Sequence, residues 1–132
     1  MINREIYDAA LALLAEEQDE LSYDYEARAP HILNAFFCEC GEIDGAYRRT
    51  NAYVVRADGT TLPDLDDEFP LSPCFFTAGV YYLAAVLVEN ENEGLCDRYF
   101  ARYAALLKGI KEQTSMGEAY GIRDVYGFHT CA

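Results

Sequence analysis

Residues 70–88 (PLSPCFFTAGVYYLAAVLV) contain no Asp, Glu, Lys or Arg, and most of them are apolar. A helix that is apolar on every side is either the buried centre of a helical domain or a membrane span. Ser72 and Pro73 predict the helix start, because a hydroxyl can cap free N–H groups and proline has no N–H to leave unpaired. A helix from Pro73 to Val88 would be about 24 Å long, and it falls short of the ~20 apolar residues that a bilayer requires. We therefore expect a core helix.

The net charge limits the kinds of partner that the protein can bind. The chain has 132 residues, with 23 acidic and 10 basic side chains and a formal net charge of −13. This length corresponds to one domain. A surface so acidic repels nucleic acid and anionic membranes, so we expect neither sequence-specific nucleic-acid binding nor a membrane partner.

The cysteines and the first residues bear on the compartment. The five cysteines are odd in number and scattered along the chain, as is typical of reduced thiols in a cytoplasm. The segment MINREIYDAALALL carries charges among its apolar residues and has no small-residue cleavage site, so we do not expect a signal peptide. These features predict an intracellular protein.

Two helices are predicted before the core helix. Asn3 is a candidate N-cap for the first, and residues at three- and four-residue spacing mark one of its faces: Ile6, Ala10, Leu13, Leu14 and Glu17. The second carries a continuous 3.6-residue apolar stripe from Ala29 to Tyr47. Pro30 leaves its start open, because the helix either begins near Pro30 or begins near Asp24 and is kinked at the proline.

A fourth helix is predicted after the core helix. Asn92 can cap its first turn. Acidic residues near its start and Lys108 and Lys111 near its end match the direction of the helix dipole. An apolar seam repeats at helical spacing: Leu95, Tyr99, Tyr103, Leu106 and Ile110.

Between the second helix and the core helix the sequence period changes. Tyr53–Arg56 is β-branched and aromatic, and Asp58-Gly59 is typical of a tight hairpin turn. We expect a small β-hairpin insert at about residues 52–62, followed by an acidic loop over residues 63–68. The predicted fold is all-α: a four-helix bundle-like domain with this insert and a C-terminal arm.

Met116 is followed by the last segment, GEAYGIRDVYGFHTCA. Its apolar residues do not recur at a helical or strand spacing. We assign residues 1–116 to the helical domain and residues 117–132 to the arm. The apolar side chains of the arm are too few to form a core and too apolar to remain in solvent: Ile122, Val125, Tyr126 and Phe128. They either fold back on the domain or dock on another subunit.

No motif indicates catalysis, so we expect no enzyme activity and no cofactor. Cys38-Glu39-Cys40 is a candidate metal-binding motif, but on a helix the two sulfurs of C-x-C point about 200° apart. Cys40 also falls on the apolar stripe, so we interpret both as structural or incidental thiols. The carboxylates of residues 64–68 suit a hard cation but lack the glycine and distal Glu of an EF-hand. We interpret the tyrosines at helical spacing (Tyr81, Tyr82, Tyr99, Tyr103 and Tyr126) as core residues whose hydroxyls reach the surface.

The order of these elements carries a family resemblance. A leading amphipathic helix, a second helix with ILNAFF, a β-like excursion, the acidic segment LPDLDDEFPL, a long apolar helix and the closing segment DRYFARY follow one another. This layout resembles the head–tail connector, or adaptor, proteins of tailed bacteriophages and prophages. The segment IRDVYG is also similar to the tail segment of that family.

The resemblance implies a structural protein of the virion that forms a homo-oligomeric ring between portal and tail and continues the DNA channel. The implied partners are the portal protein and the next connector or tail protein. Carried onto this chain, the arm from Tyr120 to Phe128 would contact the portal or a neighbouring subunit, and the hairpin around Asp58-Gly59 would face another partner. The protein would be a monomer in the host cytoplasm before it joins the head–tail junction.

Two other hypotheses use the acidic surface. An acidic cytoplasmic protein-interaction module would bind a basic protein partner, and that binding would be sensitive to salt and independent of the arm. A small metal-dependent enzyme would require the carboxylates of residues 64–68 to converge on a pocket that holds a metal ion.

Overall fold

The computed structural model describes residues 1–17, 24–51 and 62–123, with side chains except at residues 17, 48–51 and 114–123. The elements, in chain order, are α1 (Asn3–Glu17), α2 (Tyr25–Asn51), a 3-10 helix (Pro73–Phe75), α3 (Phe76–Leu87) and α4 (Glu93–Arg123). Within these ranges the protein has four α-helices and no strand, apart from an isolated bridge between Ile2 and Glu68. The expected all-α fold is confirmed.

The central element is α3, which packs against each of the other three α-helices. It comes from the uncharged stretch, and its buried residues occupy all sides: Ala78, Gly79, Val80, Leu83, Ala84, Ala85 and Leu87. Among the helices that the structure describes, none has the length and apolar character needed to cross a membrane. The expected core helix is therefore confirmed, with a 3-10 turn as its first part.

The start of the core helix is held by Asp44, a residue on α2 that is distant in sequence. The Ser72 side chain makes no capping hydrogen bond, and its buried hydroxyl has no partner among the described residues, so the predicted hydroxyl cap is wrong. The backbone N–H of Ser72 instead donates to the carboxylate of Asp44, at 3.1 Å. Asp44 is itself buried on α2, so a long-range contact replaces the local cap.

The helix α2 is continuous from Tyr25 to Asn51 with Pro30 inside it. The structure therefore selects the earlier of the two starts, near Asp24, whose carbonyl accepts the N–H of Arg28 at 3.0 Å. Proline inside a helix lacks one N–H donor and crowds the preceding turn. Tertiary contacts on both sides of Pro30 offset that cost. Arg28, before it, reaches the end of α3, and Phe36, after it, packs against Tyr82 of α3.

The first turns of α2 are attached to the end of α3. The Arg28 guanidinium donates to the carbonyls of Val86 and Leu87, at 3.3 and 3.4 Å, in the last turn of α3, where helical N–H donors are few. The Val86 carbonyl also accepts the N–H of Glu89, at 3.3 Å. The buried Tyr25 hydroxyl donates to the Glu91 carboxylate in the following turn, at 2.8 Å. These bonds and the Asp44 contact place α2 antiparallel to α3.

The helix α1 is capped by the acidic loop. The N–H groups of Asn3 and Arg4 donate to the carbonyls of Asp67 and Leu65, at 2.9 and 2.7 Å. The predicted role of Asn3 as a side-chain N-cap is wrong, because its buried side chain donates to the Asp64 carbonyl, at 3.0 Å. The loop carbonyls thus satisfy N–H groups in the first turn of α1.

The helix α4 begins at its predicted cap and ends later than expected. The Asn92 side chain accepts the N–H of Leu95 at 3.1 Å, which confirms the cap. The helix continues to Arg123, so residues 117–123, which were assigned to the arm, form its last turns. The hairpin predicted at residues 52–62 and the rest of the arm, residues 124–132, lie outside the described residues, except for Leu62, which is exposed and not in a strand.

The tightest approach to α3 occurs at Gly79. A Cβ at this position would lie 3.0 Å from the ring of Phe36 and 3.1 Å from Cδ1 of Ile6. We predict that Gly79→Val destabilises the fold by about 2–3 kcal/mol, since overpacking a core forces side chains from their rotamers. At Gly109 on α4 an added Cβ meets nothing within 4 Å, so Gly109→Ala should stabilise by about 1 kcal/mol through helix propensity. Urea unfolding of both variants measures the two effects, and equal stabilities would contradict the packing described.

The capping of the core helix gives a second prediction. Ser72→Ala should leave the free energy of unfolding unchanged or raise it slightly, because the hydroxyl is buried without a partner. Asp44→Ala should lower it by about 1–3 kcal/mol, because the Ser72 N–H is then buried unpaired. If thermal and urea unfolding show the opposite order, the helix start is held by the hydroxyl after all.

Candidate partner-binding surface

The predicted contact residues lie at and beyond the end of α4. The backbone of Ile122 is in the last turn of α4, and Val125, Tyr126 and Phe128 lie outside the described residues. The buried seam of α4 runs from Leu95 to Ile110, and the next three residues, 111–113, are exposed. The helix α4 continues for 13 residues after Ile110, to Arg123.

The register between α2 and α4 shows how far that part extends. Cys40 on α2 contacts Tyr103 on α4, and the two helices run parallel because both run antiparallel to α3. From this contact α2 continues for about 16 Å and α4 for about 30 Å, at about 1.5 Å per residue. Counted from this contact, the remaining part of α4 is thus about 14 Å longer than the remaining part of α2, and it carries Ile122.

The aromatic residues of α3 and α4 form a core rather than a platform for bases. Tyr82 packs against Tyr103 with ring centroids 5.1 Å apart, and against Phe36 and Phe100 at 5.5 and 6.0 Å. Tyr99 and Tyr103 are buried, and Tyr81 and Tyr82 are half-buried. The core interpretation is confirmed for these four tyrosines, whereas Tyr126 lies outside the described residues.

The two thiols of Cys38-Glu39-Cys40 lie in different environments. Cys38 is exposed, and Cys40 is buried with its sulfur 3.5 Å from the Tyr103 hydroxyl. That hydroxyl donates to the Glu39 carboxylate at 2.8 Å. Burial raises the pKa of Cys40 to about 11 and is also the main cause of the raised pKa of Tyr103. Both groups stay protonated near neutral pH, so neither is suited to act as a nucleophile or base.

The carboxylates of the acidic loop hold the loop in place. Asp64 accepts the N–H of Asp66, and Asp67 accepts the N–H of Asp64, each at 2.9 Å. The Asp66 carboxylate also pairs with Arg4 at 3.0 Å, and Arg4 pairs with Glu26 at 3.1 Å. These hydrogen bonds, to Asp66 first and Glu26 second, raise the pKa of Arg4. Over residues 1–17, 24–51 and 62–123, no group of three or more potential ligands is arranged to hold a metal ion.

The exposed residues of α4 carry both charges. Arg98, Arg102 and Lys108 are exposed, and so are Asp97 and Glu112. The Arg102 guanidinium lies 5.8 Å from the centroid of the Tyr81 ring on α3, a cation–π contact between the two helices. This contact was not predicted from the sequence, because it depends on the register of two helices and local spacing does not give that register.

Comparisons with known protein families, with curated proteins and with solved structures found no match to this chain. The resemblance to connector proteins therefore rests on the order of the sequence elements. The structure adds the positions of those elements in space, and it extends α4 to Arg123.

The thiol environments predict an order of chemical reactivity. At pH 8, Cys38 should be alkylated by iodoacetamide at least about 100-fold faster than Cys40, because thiolate is the reacting species and Cys40 is both buried and protonated. Peptide mass spectrometry at timed intervals measures both rates in one sample. Alkylation in urea is the control, since unfolding should remove the difference. Equal rates in the folded protein would contradict the burial of Cys40.

Proposed function

We propose that the protein is a structural component of a phage or prophage head–tail connector, and that it forms a ring that bridges portal and tail and continues the DNA channel. The observation that supports the proposal is the length of α4, which continues as a helix for 13 residues after Ile110 and is followed in sequence by the apolar residues of the arm. A long helix followed by an apolar segment is suited to reach a second protein. The choice of family rests on the order of the sequence elements, which resembles that of connector proteins.

In this proposal the partner-contact residues Ile122, Val125, Tyr126 and Phe128 bury their side chains against the portal or a neighbouring subunit. Ordering such a segment costs conformational entropy, which is offset only when the apolar side chains are buried. Free subunits therefore remain monomers until a portal provides the surface. The net charge of −13 suits a DNA channel, because a wall of like charge lets DNA pass without holding it.

A second candidate is the acidic interaction module with a basic protein partner. The exposed carboxylates of α1, α2 and the acidic loop favour it, since most of them are not engaged in ion pairs among the described residues. Such a module would bind through charge, so its affinity would fall with salt and would not depend on the arm.

The two candidates are separated by one variant of the full chain, in which Ile122, Val125, Tyr126 and Phe128 are replaced by Ser. We predict that it binds the portal protein encoded in the same genome at least about 100-fold more weakly than the unaltered chain, because aromatic anchors contribute about 2 kcal/mol or more each. Light scattering with purified portal measures the mass of the complex. Gln113→Ser, at an exposed position before the arm, is the control and should bind normally.

Thermal unfolding of the same variants shows whether the fold is kept, since the changed residues follow Ile110, the last buried residue among the α4 side chains that the structure describes. A full chain that never joins the portal, or a genome without a portal gene beside this one, contradicts the connector proposal. Binding to a basic protein that persists in the four-residue variant and weakens with salt supports the acidic module instead.

A further inference from the structure

The helices α2, α3 and α4 each pack against the other two, and we call them the three-helix unit. The helix α1 is attached differently, since α3 is the one described helix on which it packs extensively. A polar contact joins α1 to α4, where the Tyr99 hydroxyl donates to the Leu13 carbonyl at 3.4 Å. Another joins it to α2, where Arg4 pairs with Glu26 at 3.1 Å. Undocking of α1 would therefore leave the contacts within the three-helix unit in place.

The acidic loop is bonded to the start of α1. The backbone N–H and the side chain of Asn3 donate to the carbonyls of Asp67 and Asp64, at 2.9 and 3.0 Å. The N–H of Arg4 donates to the Leu65 carbonyl at 2.7 Å. Asn3 is fully buried, so moving the loop away while α1 stays docked would leave buried polar groups without partners. Undocking the loop and α1 together avoids that cost.

The residue that follows the acidic loop belongs with the three-helix unit. Phe69 is buried, and its ring packs against Phe37 of α2 and Phe76 of α3, with centroids 5.8 and 6.4 Å apart. The N–H of Phe69 donates to the Met1 carbonyl at 2.9 Å, and this bond can break while the ring contacts remain. In this part of the chain the boundary between what undocks and what stays therefore lies between Glu68 and Phe69.

We propose that α1 and the acidic loop undock from α3 as one unit while the three-helix unit stays folded. We call residues 1–17 and 63–68 the α1 unit. Elements with fewer contacts to the rest of a protein open at a lower free energy than the whole chain unfolds. In the docked state Ile6 is fully buried and lies against α3 at Gly79, so undocking uncovers this side of α3. The event takes place in the free protein and does not depend on the connector proposal.

Native-state hydrogen exchange of the full chain, followed residue by residue by NMR, tests the proposal. After correction for intrinsic rates, the N–H groups of Ala10 and Leu14 in α1 should exchange at least about tenfold faster than those of Ala84 in α3 and Tyr103 in α4. The N–H of Arg4, which donates to the acidic loop, should exchange at the same corrected rate as that of Ala10, within about threefold, because one opening exposes both.

Two core variants separate local undocking from global unfolding. Tyr103 contacts Cys40 and Phe36 of α2 and Tyr82 of α3, and these contacts persist when α1 undocks. Tyr103→Leu should therefore speed exchange in α3 and α4 at least about tenfold and leave exchange in α1 unchanged. Leu65 is buried in the acidic loop and is exposed by the undocking, so Leu65→Ala should speed exchange in α1 at least about tenfold as well.

Two surface variants repeat the test without a change in the core, in case Leu65→Ala does not fold. Arg4→Gln removes the ion pairs that join α1 to Asp66 of the acidic loop and to Glu26 of α2, so exchange in α1 should become about two- to fivefold faster. Arg102→Gln is the matched control. It makes the same chemical change but removes a contact within the three-helix unit, with Tyr81, and it should leave exchange in α1 unchanged.

Three results overturn the proposal. Equal protection of α1 and α4 in the unaltered chain, or faster exchange of α1 in Tyr103→Leu, would show that α1 opens only when the whole chain unfolds. Unchanged exchange of α1 in both Leu65→Ala and Arg4→Gln would show that α1 undocks without the acidic loop. These measurements use no portal, so their outcome is separate from that of the connector proposal.

Discussion

The removal of α3 from water is the constraint on which the other elements depend. The helix α3 has 12 residues and no charged side chain, and exposure of its apolar side chains to water is unfavourable. Other helices must therefore cover it. The helices α1, α2 and α4 provide that cover. The helix α2 also contacts both ends of the core helix through charged side chains, since it places the Asp44 carboxylate at the start and the Arg28 guanidinium at the end. Both charges have the sign that the helix dipole favours.

The features that the sequence predicted well are local ones. The uncharged stretch marks the core helix, and the α4 seam and the Asn92 cap involve residues within a few turns of each other. The caps at Asn3 and Ser72 were predicted by the same local rule, and there the structure uses other groups. In both cases the partner is distant in sequence, a loop carbonyl or a buried carboxylate, and no rule of spacing identifies such a partner.

The candidate partner-binding surface at the end of α4 could be predicted only in part from the sequence. Gly117 and Gly121 each lower helix propensity by about 1 kcal/mol relative to alanine, so the apparent period of α4 ends near Ser115. The helix continues through both glycines because it is already nucleated over many turns, and each further residue adds a hydrogen bond at little cost.

The capping of α1 by the acidic loop has a consequence for the order in which the protein folds during synthesis. Asn3 bonds to a carbonyl 61 residues further along the chain, so the first turn of α1 keeps open N–H groups until that loop has left the ribosome. A short helix is only marginally stable alone in water. The helix α1 is therefore synthesised well before the loop that caps it, and any chaperone that acts on the nascent chain meets α1 before these capping carbonyls exist.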